Sequence, residues 1–239
     1  MNENLEIYWF GRCCFLLEYN KKKILFDPYD AYCNVDIGQI DSDITLISST
    51  WHDHGHIGAT PKAHIYSYPG GYENDGVQIA GIESKEDRGT PNVIFNVRFG
   101  PFSITNFADF GPERKSEFEK SLTEKQKEIL QSTNIAFIRP SIEREKFENV
   151  HNEIAFKYCN PAIIFPEHYF PESFTNSQVS DNNREYFLEP IKIVNEMIEE
   201  FSYPVNEVND YKVLLTSDDL KEKKLIKLLK LHPQVVYGN

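Results

Sequence analysis

The stretch from Asp43 to Gly58 contains the residues best suited to chemistry. It begins with a short run of apolar and β-branched residues, which is typical of a strand entering a packed interior. It continues over residues 49–56 as Ser-Thr-Trp-His-Asp-His-Gly-His, a polar cluster with three imidazoles and one carboxylate. Imidazole nitrogens and carboxylate oxygens are common ligands of first-row metal ions, so this loop is a candidate metal site. The plainer alternative is a turn with three solvated histidines.

The same order, a predicted strand followed by a polar loop, recurs twice later in the chain. Phe102 to Phe107 is a predicted strand that leads into Asp109. Ala162 to Phe165 is another, and it leads into the segment Pro-Glu-His-Tyr, which contains His168 and Tyr169. Several predicted strands therefore end in ionisable side chains.

The rest of the chain alternates between predicted strands and predicted helices. Further strands are expected at Leu5 to Tyr19, Lys22 to Asp27, Val77 to Ser84, Asn92 to Phe99 and Tyr211 to Leu215. Apolar residues spaced among charged ones predict helices at Glu113 to Ser132, Val150 to Tyr158, Glu189 to Phe201 and Asp218 to Leu231.

Composition limits the classes of function. The 239 residues suit a single domain over 1–239, and no linker rich in proline, glycine or serine divides them. The formal net charge of -12 disfavours binding to nucleic acid or to an anionic membrane. The N-terminus lacks the pattern of a signal peptide, and no apolar run approaches the roughly 20 residues of a membrane span. With four cysteines and no C-x-x-C pair, we expect a reduced, cytoplasmic protein.

The order of these segments resembles the metallo-β-lactamase superfamily, in particular its lactonase-like branch of metal-dependent hydrolases. The likeness covers an opening hairpin, a strand that ends in Asp27-Pro28, the histidine loop, Asn-Phe-Ala-Asp-Phe-Gly around Asp109, and Pro-Glu-His-Tyr around His168. The resemblance implies an α+β fold, a four-layer αββα sandwich with the site at one edge between the sheets. It also implies that Asp27 is a buried carboxylate that supports the site.

The histidine loop matches the family motif H-x-H-x-D-H only in part. With Asp53-His54 as the final pair, the two earlier histidine positions fall on Ser49 and Trp51. The later loop that supplies a third histidine offers only Ser84, Lys85 or Glu86. The first of the family's two metal positions is therefore missing most of its ligands.

The resemblance implies that the second metal position is retained. Asp53, His54 and His168 would bind one divalent ion, with Asp109 as the carboxylate that bridges the two metals in the family. Two imidazoles and one or two carboxylates suit zinc, and manganese or iron as alternatives. A register one residue shorter would instead use His52, His54 and His56, but it places Gly55 where the aspartate ligand belongs.

Trp51 distinguishes this chain from the family pattern. Indole has only a donor N–H and cannot coordinate a metal. We expect its ring to be largely buried beside Asp53 and Asp109, filling the volume of the missing first ion.

Two functions from different classes follow from these residues. The first is a metal-dependent hydrolase of a small-molecule ester, lactone, amide or phosphoester, with Asp53 and Asp109 at the reacting centre and Asp109 as bridging ligand or general base. In it, Arg88 and Tyr169 would position the substrate. The second is a catalytically silent relative that binds a ligand or a protein.

Overall fold

A computed structural model describes residues 4–30, 34–86, 89–111, 115–139, 157–201, 203–221 and 224–238. The strands are β1 (Leu5–Trp9), β2 (Phe15–Tyr19), β3 (Lys22–Phe26), β4 (Val35–Asp36), β5 (Ile44–Leu46), β6 (His64–Tyr66), β7 (Gly70–Asn74), β8 (Val77–Lys85), β9 (Pro91–Phe99), β10 (Phe102–Asn106), β11 (Ile135–Ile138), β12 (Ile163–Pro166), β13 (Val205–Glu207), β14 (Lys212–Leu215), β15 (Leu225–Leu228) and β16 (Val236–Tyr237). The helices are α1 (Lys115–Ser121), α2 (Glu124–Gln131), α3 (Glu172–Gln178) and α4 (Asp181–Phe201), with 3-10 turns at Ile57–Ala59 and Asp219–Lys221.

Most strands belong to two mixed sheets. Within the described residues, one sheet has the order β14-β1-β2-β3-β5-β6, and the other has the order β13-β15-β12-β11-β10-β9-β8-β7. The central strands are almost wholly buried, because both faces of each sheet are covered. Strands β4 and β16 form a separate small pair.

The largest apolar core lies between the two sheets. It joins Phe15 and Phe26 of the first sheet to Phe137 and Phe165 of the second, and the rings of Phe15 and Phe137 stack with centroids 4.2 Å apart. A second core, with Phe174 of α3, covers the other face of the first sheet. A third packs α1 and α2 on the other face of the second sheet. These layers confirm the predicted αββα sandwich.

Strand direction explains how distant segments meet. Strands β1, β3 and β5 run parallel to one another in the first sheet, as do β8, β10, β11 and β12 in the second. Parallel strands end at the same edge of a sheet, so the loops that follow them are neighbours. The backbone N–H of Val93 donates to the carbonyl of Ser48 at 2.8 Å and ties the two sheets together at this edge.

Several predicted helices differ from the structure. The segment 113–132 contains two helices, because Thr123 caps α2 through a capping box with Gln126. The predicted closing helix Asp218 to Leu231 is wrong: a 3-10 turn is followed by β15, which pairs in parallel with β12. Most of the predicted helix Val150 to Tyr158 lies outside the described residues. No described helix has the length and apolarity needed to span a membrane.

Candidate metal centre

Four potential metal ligands meet where the two sheets end. Asp53 and His54 lie in the loop after β5, Asp109 follows β10, and His168 follows β12. One ligand atom from each side chain lies within 4.8 Å of the others. His54 is fully buried, whereas 21% of the Asp53 side chain and 17% of the His168 side chain are exposed, so the cluster opens to solvent on that side.

The separations between these atoms suit a single ion. The Nε2 atom of His54 lies 2.9 Å from Asp109 Oδ2 and 3.8 Å from Asp53 Oδ2. The Nε2 atom of His168 lies 3.2 Å from Asp109 Oδ1 and 3.6 Å from Asp53 Oδ2. A tetrahedral ion with ligand distances of about 2.0–2.2 Å separates its ligand atoms by about 3.3–3.6 Å. The residues present therefore fit a divalent metal in both type and spacing.

The ring of His54 is oriented by groups on its far side. Its Nδ1 atom lies 3.3 Å from Ser48 Oγ and 3.5 Å from Asp27 Oδ2. Asp27 is fully buried and accepts hydrogen bonds from the Ser48 backbone N–H and the Asn106 side chain, at 2.7 and 2.9 Å. A carboxylate behind a histidine fixes the tautomer that leaves Nε2 available to a metal. This placement agrees with the supporting role expected for Asp27.

Two guanidinium groups also reach the cluster. Arg12, in the turn between β1 and β2, donates from Nη2 to Asp53 Oδ2, and the same nitrogen lies 3.0 Å from His168 Nε2. Arg139, directly after β11, donates from Nη1 to Asp109 Oδ1 at 2.6 Å. Positive charge therefore already faces both carboxylates of the cluster.

These neighbours keep the two carboxylates ionised. Burial alone would raise the pKa of Asp109, but Arg139, His168 and His54 hold it well below its usual value. Burial likewise opposes ionisation of Asp53, while the proximity of His168 first, and then of His54 and Arg12, lowers the pKa of Asp53. A carboxylate this stable as an anion is a poor proton acceptor, so the electrostatics favour a ligand role over a general-base role for Asp109.

The two imidazoles differ in charge. Burial would lower the pKa of His54, but Asp109 and Asp27 raise it well above its usual value. Burial and then the nearby guanidinium groups lower the pKa of His168. A neutral His168 can accept a hydrogen bond from Arg12 at Nε2. A metal ion would have to displace the proton from His54, because only the neutral ring is a ligand.

Ser49, which stands at a histidine position of the family motif, is hydrogen-bonded to the later loop. Its Oγ donates to Oε1 of Glu86, one of the three residues considered for the third histidine position, at 2.7 Å. Trp51 does not fill the volume expected for the missing first ion: 47% of its surface is exposed. The prediction that Trp51 is a buried plug is wrong, because its carbonyl accepts the N–H groups of His54 and Gly55 in a tight turn at the surface.

The other histidines of the loop lie outside the cluster. His52 is exposed and lies 3.0 Å from Asp30 through Nδ1, and the ring of His56 lies against Gly58. The structure thus brings His54 to the cluster without His52 or His56, as the ungapped reading of the loop requires.

Of the two residues predicted to position substrate, the structure describes only Tyr169. The ring of Tyr169 packs on Trp9, with centroids 4.7 Å apart, and lines a cavity of about 1010 Å³ beside α3 and α4. None of the four clustered ligand residues lines this cavity. Burial raises the pKa of the Tyr169 hydroxyl well above its usual value. Arg88 lies outside the described residues.

Three charged residues of this edge were not predicted from the sequence: Arg12, Arg139 and Glu167. Arg139 and Glu167 directly follow buried strands, and that position is the signal that could have identified them, whereas Arg12 lies in the turn after β1. Glu167 is fully buried, and burial followed by the charge of Asp27 raises its pKa well above its usual value.

Cys13 is a further missed neighbour of the cluster. Its Sγ atom and ring nitrogens of His54 and His168 all lie within 4.8 Å of one another. Burial raises the pKa of the Cys13 thiol well above its usual value, so the group is a neutral thiol in the absence of a metal.

Comparisons with known proteins agree with this fold. A family model described as a beta-lactamase superfamily domain matches residues 6–138, more than half of the 239 residues. No curated protein matches the chain. The family-model match is in line with the family resemblance inferred from the sequence.

Two solved structures extend the comparison. The chain is similar to a proposed zinc-dependent hydrolase of the metallo-β-lactamase superfamily from Thermotoga maritima, at 20% identity and a TM-score of 0.64, over 95% of this chain and 100% of that one. It is also similar to the metallo-β-lactamase fold protein YhfI from Bacillus subtilis, at 9% identity and a TM-score of 0.50, over 70% of this chain and 86% of that one. At these identities the likeness shows the fold alone.

Proposed function

We propose that this chain, which belongs to the β-lactamase superfamily, is a metal-dependent hydrolase with a single-ion site. The ion, proposed to be zinc with manganese or iron as alternatives, is held by Asp53, His54, Asp109 and His168. The proposed substrate is a small-molecule ester, lactone, amide or phosphoester. The acidic chain is proposed to act in the cytoplasm without nucleic-acid or membrane partners.

The observation that carries the proposal is the convergence of four ligand atoms from three separate loops. The separations between the two imidazole nitrogens and the carboxylate oxygens, counting both oxygens of Asp109, run from 2.9 to 3.8 Å and bracket the edges of a zinc-sized tetrahedron. A bound ion would polarise a carbonyl or phosphoryl oxygen and lower the pKa of a water molecule to about 7. Asp27 orients the His54 ring of this centre, and the centre is exposed to solvent on the side of Asp53 and His168.

A single ion is favoured over two because Ser49 and Glu86, which stand where the family would place ligands of the first metal, form a hydrogen bond with each other. Neither residue is among those whose ligand atoms converge. Arg139 donates to Asp109 and has 28% of its side chain exposed, so its guanidinium is proposed to contact an anionic or carbonyl oxygen of a substrate. Arg88 and Tyr169 keep their proposed role in substrate positioning.

A catalytically silent relative is the second candidate, and one observation favours it. The two guanidinium groups and the His54 imidazolium already offset the three carboxylates of Asp27, Asp53 and Asp109. The cluster therefore achieves charge balance without an ion.

Elemental analysis and hydrolysis assays on one preparation distinguish the two candidates. We expect about one divalent ion per chain after incubation with zinc, manganese or iron, and loss of hydrolysis after chelation. Suitable substrates are nitrophenyl esters, nitrophenyl phosphodiesters, a lactone and an activated amide.

Two variants test the assignment of ligands. His168→Ala removes one of four ligands and should abolish metal retention, whereas Ser49→Ala changes only the replaced first position and should retain one ion. Unchanged retention in His168→Ala, or two tightly held ions in the native chain, contradicts the proposed site. A chain that holds no ion under any condition supports the silent relative instead.

A further inference from the structure

The turn between β1 and β2 places a cation against two of the four proposed ligand atoms. Arg12 Nη2 donates to Asp53 Oδ2 and lies 3.0 Å from His168 Nε2. Only 4% of Arg12 is exposed, so this guanidinium is part of the interior. Long charged side chains are rarely buried to this extent without a defined partner.

The backbone of the turn fixes this position. Arg12 has a left-handed conformation with φ of 50°, its N–H donates to the Tyr169 carbonyl at 2.8 Å, and its carbonyl accepts from the Trp9 indole at 3.2 Å. The preceding Gly11 has φ of 91°, and a Cβ at this residue would lie 2.4 Å from the Phe170 ring. The turn is therefore specified by contacts on both sides, and it directs Arg12 into the cluster.

A guanidinium and a metal ion cannot share the lone pair of His168 Nε2. Guanidinium nitrogens are donors only and cannot coordinate a metal. An ion would lie about 2.0–2.2 Å from Asp53 Oδ2 and His168 Nε2, in the region that Arg12 Nη2 now contacts. The lone pair of His168 Nε2 can serve the arginine or the ion, but not both. Two positive charges at this distance also repel each other strongly.

We propose that Arg12 is a built-in competitor for the metal ion. The inference rests on the proposed function, because it concerns the same four ligands. In the metal-free chain, Arg12 holds Asp53 and His168 in place and neutralises the carboxylate. The ion reaches full coordination only when the guanidinium withdraws, so the native chain binds metal more weakly than its ligand set would allow.

This role predicts two effects of opposite sign for the same substitution. Arg12→Gln removes the competing charge and should strengthen metal binding. It also leaves the Asp53 carboxylate without its guanidinium, so the metal-free protein should melt at a lower temperature. A purely structural arginine would weaken both properties on removal.

The test measures zinc affinity by competition with a chromogenic chelator, using full-length chain stripped of metal beforehand. We expect Arg12→Gln to bind zinc at least about tenfold more tightly than the native chain, and Arg12→Lys to lie between them. The matched control is Arg139→Gln, which also removes one guanidinium from the cluster, in this case the one that donates to Asp109 Oδ1 at 2.6 Å. We expect the control to gain clearly less affinity. Melting temperatures of all metal-free proteins are recorded in parallel.

Zinc binding by Arg12→Gln that is equal to or weaker than the native value would overturn the inference. Equal gains in the Arg12 and Arg139 variants would also overturn it, because net charge alone would then explain the effect. If Arg12→Gln does not fold, Arg12→Lys decides, and no gain over the native chain rejects the role. Tight binding by the native chain without a gain in the variants rejects only the competitor, whereas absence of zinc from every protein rejects the proposed function as well.

Discussion

Glu167 should make the stability of the native chain fall as pH rises, and Glu167→Gln should remove this dependence. The side chain is fully buried, and neither carboxyl oxygen has a hydrogen-bond partner within the part of the chain that the structure describes. Burial first, and then the charges of Asp27 and Asp109, raise its pKa well above its usual value. The carboxyl is therefore protonated in the folded chain at pH values that ionise it in the unfolded chain.

The magnitude follows from proton linkage. The folded and unfolded forms are both protonated below the unfolded pKa of about 4.3, so Glu167 has no pH-dependent effect there. Above it, folding takes up one proton, and the free energy of unfolding falls by up to about 1.4 kcal/mol per pH unit until the folded pKa is reached. The advantage of Glu167→Gln over the native chain should therefore grow steadily from about pH 5 upward, at up to that slope.

Urea unfolding of metal-stripped protein across this pH range measures the difference. The native chain and the variant share every other titrating group, so their difference isolates Glu167. The control is Glu128→Gln, which removes a carboxyl on the exposed face of α2. A difference for Glu167→Gln that does not change with pH would show that the buried carboxyl does not take up a proton on folding, and would refute the reasoning.

Two further predictions concern the surroundings of the cluster. Trp51→Ala should cost less than about 1 kcal/mol of unfolding free energy, because the indole is exposed. Phe137→Ala, which removes a ring stacked on Phe15 in the core, should cost about 3–5 kcal/mol. Urea titrations that give similar losses for the two variants would contradict this prediction. Cobalt-substituted protein should show no sulfur-to-cobalt charge-transfer band, because the two imidazoles and two carboxylates of the proposed site already supply four ligands. A band that Cys13→Ser abolishes would place the sulfur among the ligands.

The ligand residues could be predicted because their positions depend on simple topology. Each lies in the loop that follows a buried strand, and parallel strands end at a common edge. Arg12 could not be predicted in the same way. It contacts residues 41 and 156 positions away, through a long side chain whose direction depends on a left-handed turn. A sequence pattern gives the turn but not the direction of the guanidinium.

The incorrect closing helix has a tertiary cause. The segment around residues 218–231 is rich in leucine and lysine, which are good helix formers, and its apolar spacing suits a helix. In the fold, Leu225 and Ile226 of β15 pair in parallel with Ile163 and Ile164 of β12, and β13 pairs with the other side of β15. The gain from completing that sheet and burying Ile226 outweighs the local propensity.

The distribution of backbone strain bears on the choice between an enzyme and a silent relative. Arg12, Asp27, Ala108 and His168 all have left-handed conformations, with φ between 44° and 67°. Such a conformation costs about 1 kcal/mol or more for a residue with a Cβ, and it is retained where the surrounding structure imposes it. All four lie in the loops after β1, β3, β10 and β12, at the edge where the ligands meet. The loops thus accept strain at the places that direct Arg12 and His168 toward Asp53. A scaffold that had lost its site would gain stability by relaxing these turns, so their retention favours a working centre.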